Sequence, residues 1–409
     1  MGSAELIGMD LFCLQWIRWV IPVILIGLQM TGCLSKPEPR NGDFSVQIID
    51  SKTGEPVPGV DVSFGNYRLR SDDKGCFYIV DLDPGTYQLR LERPWYQTQT
   101  YQVEYVGQPK RFSAALTPEE TLTGSLAYTV NSSNTSNRDI FRLDLASRSV
   151  TRLTDWASRE ANPARFTETK MLFDSDRGSA NGQQSIFSLE AMFPGGGSEL
   201  VYSGSGNNEH PSASDDGRVM AFKSGDQIMI RCDGVLKTGF SGRGEPAVSP
   251  DGKKLAFIHG NYQLKVIISE TDPGAFTKTI PVTLPFERVN HPCWSSDSKQ
   301  LAFDAWNTNG PRYIYVISLS EPNRYQRVTG DYRPGLADHQ HPCWYRSKRA
   351  AIDADLIFFS APIAYSSRRD IYCVKVPQDS TEIQNNDWLM VSKGSGSKEQ
   401  PAWVGPVSK

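Results

Sequence analysis

Short apolar runs alternate along the chain with runs in which every second position is polar, from about residue 122 onward. Leu255–Ile258 is an apolar run, whereas Tyr313–Val316 and Asp370–Val374 alternate. A period of two over such short stretches indicates antiparallel β-strands with one face in a core. The pattern predicts groups of four short strands, in which the second strand is the most apolar and the fourth the most polar.

One phrase recurs at the head of each group of strands. The clearest copies are EPAVSPDGKKLAF at Glu245–Phe257 and HPCWSSDSKQLAF at His291–Phe303. A repeat of roughly 40 to 50 residues with several strands is typical of a β-propeller, with one blade per repeat. An array of generic β-sandwiches is the alternative, because strand patterns alone do not count blades. Successive prolines of the phrase lie 48, 35, 46, 50 and 59 residues apart, at Pro163, Pro211, Pro246, Pro292, Pro342 and Pro401.

The last copy of the phrase stops after Trp403 and lacks the other three strands of a blade. Three strand patterns without a phrase of their own occur earlier, at Ser125–Val130, Asp139–Leu143 and Val150–Thr154. Pairing of the last strand with these three would close the ring and cover its sheet edges. The sequence therefore predicts an all-β fold with a propeller of six blades.

The repeated phrase, Pro-x-Trp followed by Ser-Pro-Asp-Gly, resembles the repeat of the TolB-like six-bladed propellers. The resemblance covers about residues 122–405. Only the copy at Pro246 keeps the turn whole, as Ser249–Gly252, whereas the copies at Pro163 and Pro342 have lost it. The blades that begin at those two prolines are therefore the least clearly marked.

Residues 44–117 form a separate unit in which short alternating strands are divided by turn clusters. Such spacing predicts a small antiparallel β-sandwich. Two of the turns, Gly54–Val60 (GEPVPGV) and Leu82–Tyr87 (LDPGTY), resemble the hallmarks of carboxypeptidase regulatory-like domains. The resemblance implies a fold and says little about a ligand, although some relatives of this sandwich bind carbohydrate.

Residues 1–33 have the pattern of an export signal. The twelve apolar residues Trp19–Met30 follow Arg18 and are too few for an ordinary membrane span. An uncleaved signal anchor over about residues 11–31 is the alternative, which Gln15 and Arg18 disfavour.

The apolar run leads into Met30–Cys33, which resembles a bacterial lipobox. The resemblance implies lipidation of Cys33 and cleavage before it, with residues 34–43 as a tether. Several acyl chains on one cysteine hold a protein at a bilayer firmly. Leu34 resembles the residue found in lipoproteins sent to the outer membrane. We therefore expect a protein anchored in the bacterial cell envelope, at the outer membrane, facing the periplasm or the exterior.

Composition limits the kinds of partner that we expect for this protein. The net charge is −3 and no basic run occurs, so nucleic-acid binding is not expected. Cys293 and Cys343 directly follow the repeat proline in neighbouring blades. They could face one another across a blade boundary, either as a disulfide or as two buried thiols.

Histidines suggest the one candidate site. Three of the five histidines stand immediately before a repeat proline, at a position that we call the slot. We expect the slot to lie where an innermost strand starts, so that its side chains encircle one mouth of the channel. Glu245, His291, His339 and His341 offer nitrogen and oxygen ligands for a divalent metal. The alternative is a slot that only caps strands and needs no metal. The slot residues are Asn162, His210, Glu245, His291, His341 and Gln400.

Two functions follow from these observations. The segment His339–Pro342 resembles oligogalacturonate lyases, in which histidines of a propeller bind a metal, so a metal-dependent polysaccharide lyase is one hypothesis. No Gly-x-Ser-x-Gly elbow, His-Glu-x-x-His pair or phosphate-binding loop occurs in the sequence. The preferred hypothesis is a non-enzymatic, monomeric envelope protein without a cofactor, whose propeller binds a protein or a glycan.

Overall fold

The computed structural model describes residues 44–119, 122–131, 137–191, 197–330, 337–346, 355–363, 368–377, 388–392 and 395–405. These residues form strands and turns only, which confirms the predicted all-β class. None of them belongs to a helix that could cross a bilayer. The predicted signal, Cys33 and the tether lie outside the described residues. The chain forms two compact units.

The first unit is a sandwich of two sheets. One sheet has the strand order β4-β1-β7 and the other β3-β2-β5-β6. The seven strands are β1 (Phe44–Asp50), β2 (Asp61–Phe64), β3 (Tyr67–Arg70), β4 (Cys76–Ile79), β5 (Gly85–Glu92), β6 (Gln99–Tyr105) and β7 (Lys110–Leu116).

Alternation along these strands builds the core of the sandwich. In β1 every second residue is buried, beginning with Phe44, whose ring stacks on Phe64 at a centroid distance of 4.9 Å. Gly75 marks the turn before β4, with a φ of +68°. A β-carbon there would lie 2.5 Å from the carbonyl oxygen of Ile48, so only glycine fits this turn.

The second unit is a propeller in which the described residues form six four-stranded antiparallel sheets. Blade 1 contains β8 (Ser125–Asn131), β9 (Arg138–Asp144), β10 (Val150–Arg152) and the last strand of the chain, β31 (Ser397–Gly405). Blade 2 contains β11 (Glu160–Arg165), β12 (Lys170–Ser175), β13 (Ser185–Glu190) and β14 (Glu199–Tyr202). Blade 3 contains β15 (Asn208–Ala213), β16 (Val219–Ser224), β17 (Gln227–Cys232) and β18 (Val235–Ser241).

The remaining three blades follow the same order. Blade 4 contains β19 (Ala247–Val248), β20 (Lys254–His259), β21 (Gln263–Ile268) and β22 (Lys278–Ile280). Blade 5 contains β23 (Arg288–Trp294), β24 (Gln300–Trp306), β25 (Tyr313–Ser318) and β26 (Glu321–Arg327). Blade 6 contains β27 (Gln340–Trp344), β28 (Leu356–Pro362), β29 (Arg369–Lys375) and β30 (Trp388–Met390). The two blades that lack the Ser-Pro-Asp-Gly turn, blades 2 and 6, therefore still have four strands.

The ring closes as the split blade predicted. Strand β31 pairs antiparallel with β8, with Lys398 opposite Val130 and Trp403 opposite Leu126. A buried ion pair between Lys398 of blade 1 and Asp370 of blade 6 joins the first and last blades. The six-blade interpretation replaces the alternative of generic sandwiches.

Tryptophans of the innermost strands link neighbouring blades. Trp294 and Trp344 are each 1% exposed. The indole nitrogen Nε1 of Trp294 donates to the carbonyl oxygen of Ala247 in blade 4 at 2.9 Å. Nε1 of Trp344 donates likewise to Cys293 in blade 5 at 3.0 Å. Each ring therefore fills the core and satisfies its polar atom in the adjacent blade.

The slot lies within the innermost strand in five blades, rather than at its start as the sequence suggested. Pairing with the second strand skips the slot residue and its proline, as between Asn290 and Cys293 in blade 5. Five of the six slot residues, all described, have a φ between 50° and 54°, and Glu245 is the exception. Proline has no N–H to lose in such a β-bulge. The sequence suggested that the innermost strand begins at the proline, but the strand begins before the bulge.

Candidate functional site

The six slot residues line one cavity of about 160 Å³ on the propeller axis. We call these six residues the slot ring. Their side chains form two groups of contacts, Asn162 with Gln400, and Glu245 with His210 and His291, of which His291 also contacts His341. The backbone explains which residue types occupy the ring, because asparagine and histidine tolerate the left-handed conformation better than most residues. Three histidines in this position therefore follow from backbone geometry before any chemistry is considered.

The bulge frees the N–H of its slot residue from the sheet, and in four blades a side chain of the preceding blade accepts it. The N–H of Asn162 donates to the side chain of Gln400 at 3.0 Å. The N–H of His291 donates to Glu245 at 3.2 Å. In both cases the acceptor is itself a slot residue.

Buried aspartates of second strands accept the N–H groups of the other two. The N–H of His210 donates to Asp174 at 3.0 Å, and the N–H of His341 donates to Asp304 at 3.2 Å. Both aspartates are fully buried. An unpaired N–H in this position would cost the full desolvation of a polar group, so these carboxylates hold neighbouring blades together.

His291 lies between two carboxylates. Its Nδ1 is hydrogen-bonded to Asp304, and its Nε2 is 3.3 Å from Oε1 of Glu245. Burial opposes protonation, but the two carboxylates outweigh it and raise the pKa of His291 to about 10. The same contacts hold the pKa of Glu245 well below its usual range, although burial acts in the opposite direction. His291 is therefore a cation that bridges blades 4 and 5.

The other slot histidines extend this contact chain. The His341 ring lies 3.8 Å from the ring of His291, between centroids. Burial, followed by the charge of His291, keeps the pKa of His341 well below its usual range. Nδ1 of His210 is 3.7 Å from Oε1 of Glu245. Glu245, the one acidic residue of the slot ring, thus contacts two histidines.

His339 lies apart from the other proposed metal ligands. It is 2% exposed, and its Nδ1 is 2.8 Å from the hydroxyl of Thr329. Its ring packs on Phe359 and Trp388 in the core of blade 6, at centroid distances of 5.4 and 4.5 Å. Burial lowers the pKa of His339 to about 3. Within the described ranges no three His, Cys, Asp or Glu side chains are grouped as a metal ion would require.

A ladder of alternating aromatic rings and guanidinium groups extends from the slot ring to the surface. Arg288 lies over Tyr262 at 4.8 Å and near Trp306 at 5.9 Å, measured from its Cζ to the ring centroids. Arg312 lies over Trp306 at 3.8 Å, and its Nε is 3.8 Å from Asp304. These four residues, Tyr262, Arg288, Trp306 and Arg312, are the arginine–aromatic ladder. No repeat marks them in the sequence, so they were missed.

The ladder presents an available cation. Tyr262 is 38% exposed and Arg288 is also exposed. Arg288 takes part in no ion pair among the residues that the structure describes. A similar stack of Arg177 over Trp156, at 4.1 Å, borders a second cavity of about 410 Å³ in blade 2. Each stack lies where the second strand of a blade ends and the innermost strand of the same blade begins.

We predict that the stability of the propeller decreases at alkaline pH because of His291. Because its folded pKa is raised, its contribution is complete below about pH 6.5 and is lost as the pH rises toward 10. The free energy of unfolding of the wild type relative to His291→Gln should fall with a slope approaching about 1.4 kcal/mol per pH unit in this window. Urea unfolding from pH 6 to 10 measures it.

Glutamine suits this test because Gln400 occupies the equivalent slot with a similar φ of 54°. The change His210→Gln, at another slot, controls for the loss of an imidazole as such. A stability difference between the wild type and His291→Gln that does not vary with pH would contradict the bridging cation.

Comparison with known proteins supports the assignment of the first unit. Residues 43–117 match the family model of the carboxypeptidase regulatory-like domain, which confirms the resemblance predicted from the two turn motifs. No curated protein matches the chain in sequence.

Among solved structures, the chain is similar to TolB from Acinetobacter baumannii, with 13% identity over 79% of this chain and 80% of that one, at a TM-score of 0.47. It is similar to a TolB-type protein from Agrobacterium tumefaciens, with 15% identity over 66% and 88% and a TM-score of 0.44. It is also similar to an oligogalacturonate lyase from Vibrio parahaemolyticus, with 12% identity over 78% and 84% and a TM-score of 0.38. At this level the similarities say nothing about activity. The chain thus joins a carboxypeptidase regulatory-like domain to a six-bladed β-propeller of the kind that its repeat predicted.

Proposed function

We propose that this chain is a lipid-anchored binding protein of the bacterial cell envelope, without catalysis of its own. The propeller binds an acidic glycan at the end where the arginine–aromatic ladder lies. The observation that carries this proposal is the ladder itself. It combines the exposed ring of Tyr262 and the half-buried ring of Trp306 with the guanidinium group of Arg288, which has no carboxylate partner among the described residues.

The ladder has the chemistry that an acidic sugar requires. Guanidinium groups bind carboxylates and phosphates through two parallel hydrogen bonds, and stacking on an aromatic ring leaves their N–H edges available. Aromatic rings offer rigid apolar surface to a sugar ring. Arg288 and Tyr262 are exposed, so a ligand reaches both without any change in the fold.

The slot ring supports binding over catalysis. Its carboxylate, Glu245, contacts two histidines. The adjoining aspartates are engaged as well, Asp304 with His291 and the N–H of His341, and Asp174 with Asn162 and the N–H of His210. Nδ1 of His341 is buried and has no hydrogen-bond partner among the described residues. A general base must be able to reach a substrate proton. A metal-dependent lyase would need ligands that converge, whereas His339 lies in the core of blade 6.

The envelope location rests on the sequence pattern around Cys33, where the apolar run Trp19–Met30 leads into a lipobox. A lipid on Cys33 would hold the mature chain at a membrane through the tether of residues 34–43, and Leu34 favours the outer membrane. The two domains would then face the periplasm or the exterior.

The anchor is tested by Cys33→Ser in the full chain, expressed in a bacterium with an outer membrane. We predict release from the membrane fraction or accumulation of an unprocessed precursor, because the thioether acceptor is lost. Incorporation of a labelled fatty acid and fractionation are the measurements. Cys13→Ser, within the predicted signal, is the matched control and should leave both unchanged. Labelled, membrane-bound Cys33→Ser protein would contradict the lipoprotein proposal.

Ligand class is tested by calorimetric titration with uronic-acid oligosaccharides and with neutral oligosaccharides of the same length. We predict binding of the acidic series alone. Arg288→Ala should weaken it about tenfold, because a hydrogen bond to a charged group contributes roughly 1.5–3 kcal/mol. Arg218→Ala removes an exposed arginine that is paired with Asp233 and should have no effect.

Arg288→Lys separates charge from geometry, since lysine keeps the charge but cannot bind a carboxylate through two parallel bonds. It should recover only part of the affinity. Equal binding of neutral and acidic oligosaccharides, or an unchanged affinity in Arg288→Ala, would contradict the acidic-glycan proposal and leave a protein partner as the better hypothesis.

A further inference from the structure

Two thiols face each other across the boundary between blades 5 and 6. Cys293 and Cys343 occupy equivalent positions, each directly after the slot proline, and both line the axial cavity. Each thiol lies near the carbonyl oxygen of the following residue, with Sγ of Cys293 3.9 Å from that of Trp294 and Sγ of Cys343 3.7 Å from that of Trp344. Of the two alternatives that the sequence left open, the structure contains the reduced pair.

The surroundings hold the two thiols in place. Sγ of Cys343 accepts the backbone N–H of Trp403, from blade 1, at 3.1 Å. The indole N–H of Trp344 donates to the carbonyl oxygen of Cys293 at 3.0 Å. Because both tryptophans are almost fully buried, these contacts fix the Cys343 sulfur and the backbone of Cys293 at the channel wall.

The two thiols are not equivalent in access or in acidity. Cys343 is 5% exposed, whereas Cys293 is half-buried and open to the cavity. When Cys293 is ionised, a hydrogen bond from the S–H of Cys343 stabilises its thiolate, which lowers the pKa of Cys293 although burial opposes this, and Arg346 lowers it further. The donated hydrogen bond, with burial, raises the pKa of Cys343. A more acidic, reachable thiol beside a buried one is the arrangement of a nucleophilic and a resolving cysteine.

We propose that Cys293 and Cys343 are a redox-active dithiol, which closes to a disulfide between blades 5 and 6 when a peroxide enters the axial cavity. This proposal does not depend on the ligand or the location proposed above. The product would join two neighbouring innermost strands covalently at the channel wall.

The reaction balances with one peroxide per pair. The Cys293 thiolate attacks one peroxide oxygen, the O–O bond breaks, and the departing oxygen takes up a proton to leave as water or an alcohol. Cys293 is then a sulfenic acid. The sulfur of Cys343 attacks the Cys293 sulfur, the S–O bond breaks, and a second water leaves with the Cys343 proton. The two sulfurs together lose two electrons, which the peroxide gains.

The test treats the purified full chain with hydrogen peroxide and maps its peptides without reduction. We expect a linked pair of peptides that contain Cys293 and Cys343, lighter by two hydrogens than the sum of the reduced peptides. Cys232 is the internal control. Its Sγ lies near the carbonyl oxygen of Pro273, at 3.5 Å, and it should stay reduced.

Cys343→Ala separates a redox pair from two thiols that only fill space. Without the resolving thiol, Cys293 should go on to sulfinic acid instead of a disulfide. Its alkylation by iodoacetamide should need a higher pH than in the wild type, because the hydrogen bond that lowers its pKa is lost. Cys232→Ala should change neither result.

Three outcomes would overturn the proposal. They are a wild-type protein in which Cys293 is over-oxidised while Cys343 keeps its thiol, a disulfide that joins either residue to another cysteine, and no reaction of Cys293. The wild-type map decides the matter even if a variant fails to fold.

Discussion

The propeller depends on one backbone constraint, the left-handed residue that precedes the proline in the innermost strands of five blades. Five of the six slot residues have a φ between 50° and 54°. The bulge removes their N–H groups from the sheet, and a buried N–H must find another acceptor. Four of these groups donate to side chains of the preceding blade, namely Gln400, Asp174, Glu245 and Asp304. The bulge in an innermost strand therefore also attaches its blade to the preceding blade, through the hydrogen bond of the freed N–H group.

This constraint also accounts for the charges on the axis. Asp174 and Asp304 are fully buried, which is costly for a carboxylate unless it is hydrogen-bonded and paired. Asp304 meets both conditions through His291 and the N–H of His341. The histidines that suggested a metal site thus have a sufficient structural role. The surface chemistry lies further out, where Arg288 and Tyr262 are exposed.

The sequence was most informative where the signal is local. The proline, the turn and the strand alternation lie within one phrase, so the blade count and the closure by β31 could be predicted. The slot ring could be found for the same reason. Its partners could not, because Asp304 meets His341 only through the packing of two blades. His339 was grouped with the slot residues because it lies two positions before His341. Its backbone N–H instead donates to the carbonyl oxygen of Arg312 in blade 5, and its ring packs in the core of blade 6.

We propose that the slot ring is a hydrogen-bonded joint between blades rather than a metal centre. Elemental analysis of the full chain, purified without chelators and after incubation with divalent metals, tests this most directly. We predict less than about one tenth of an equivalent of any divalent metal under both conditions. His291 is already protonated between its two carboxylates, and a protonated imidazole does not bind a metal ion. Near-stoichiometric metal that disappears in the double variant His291→Ala, His341→Ala would contradict the account and favour the lyase.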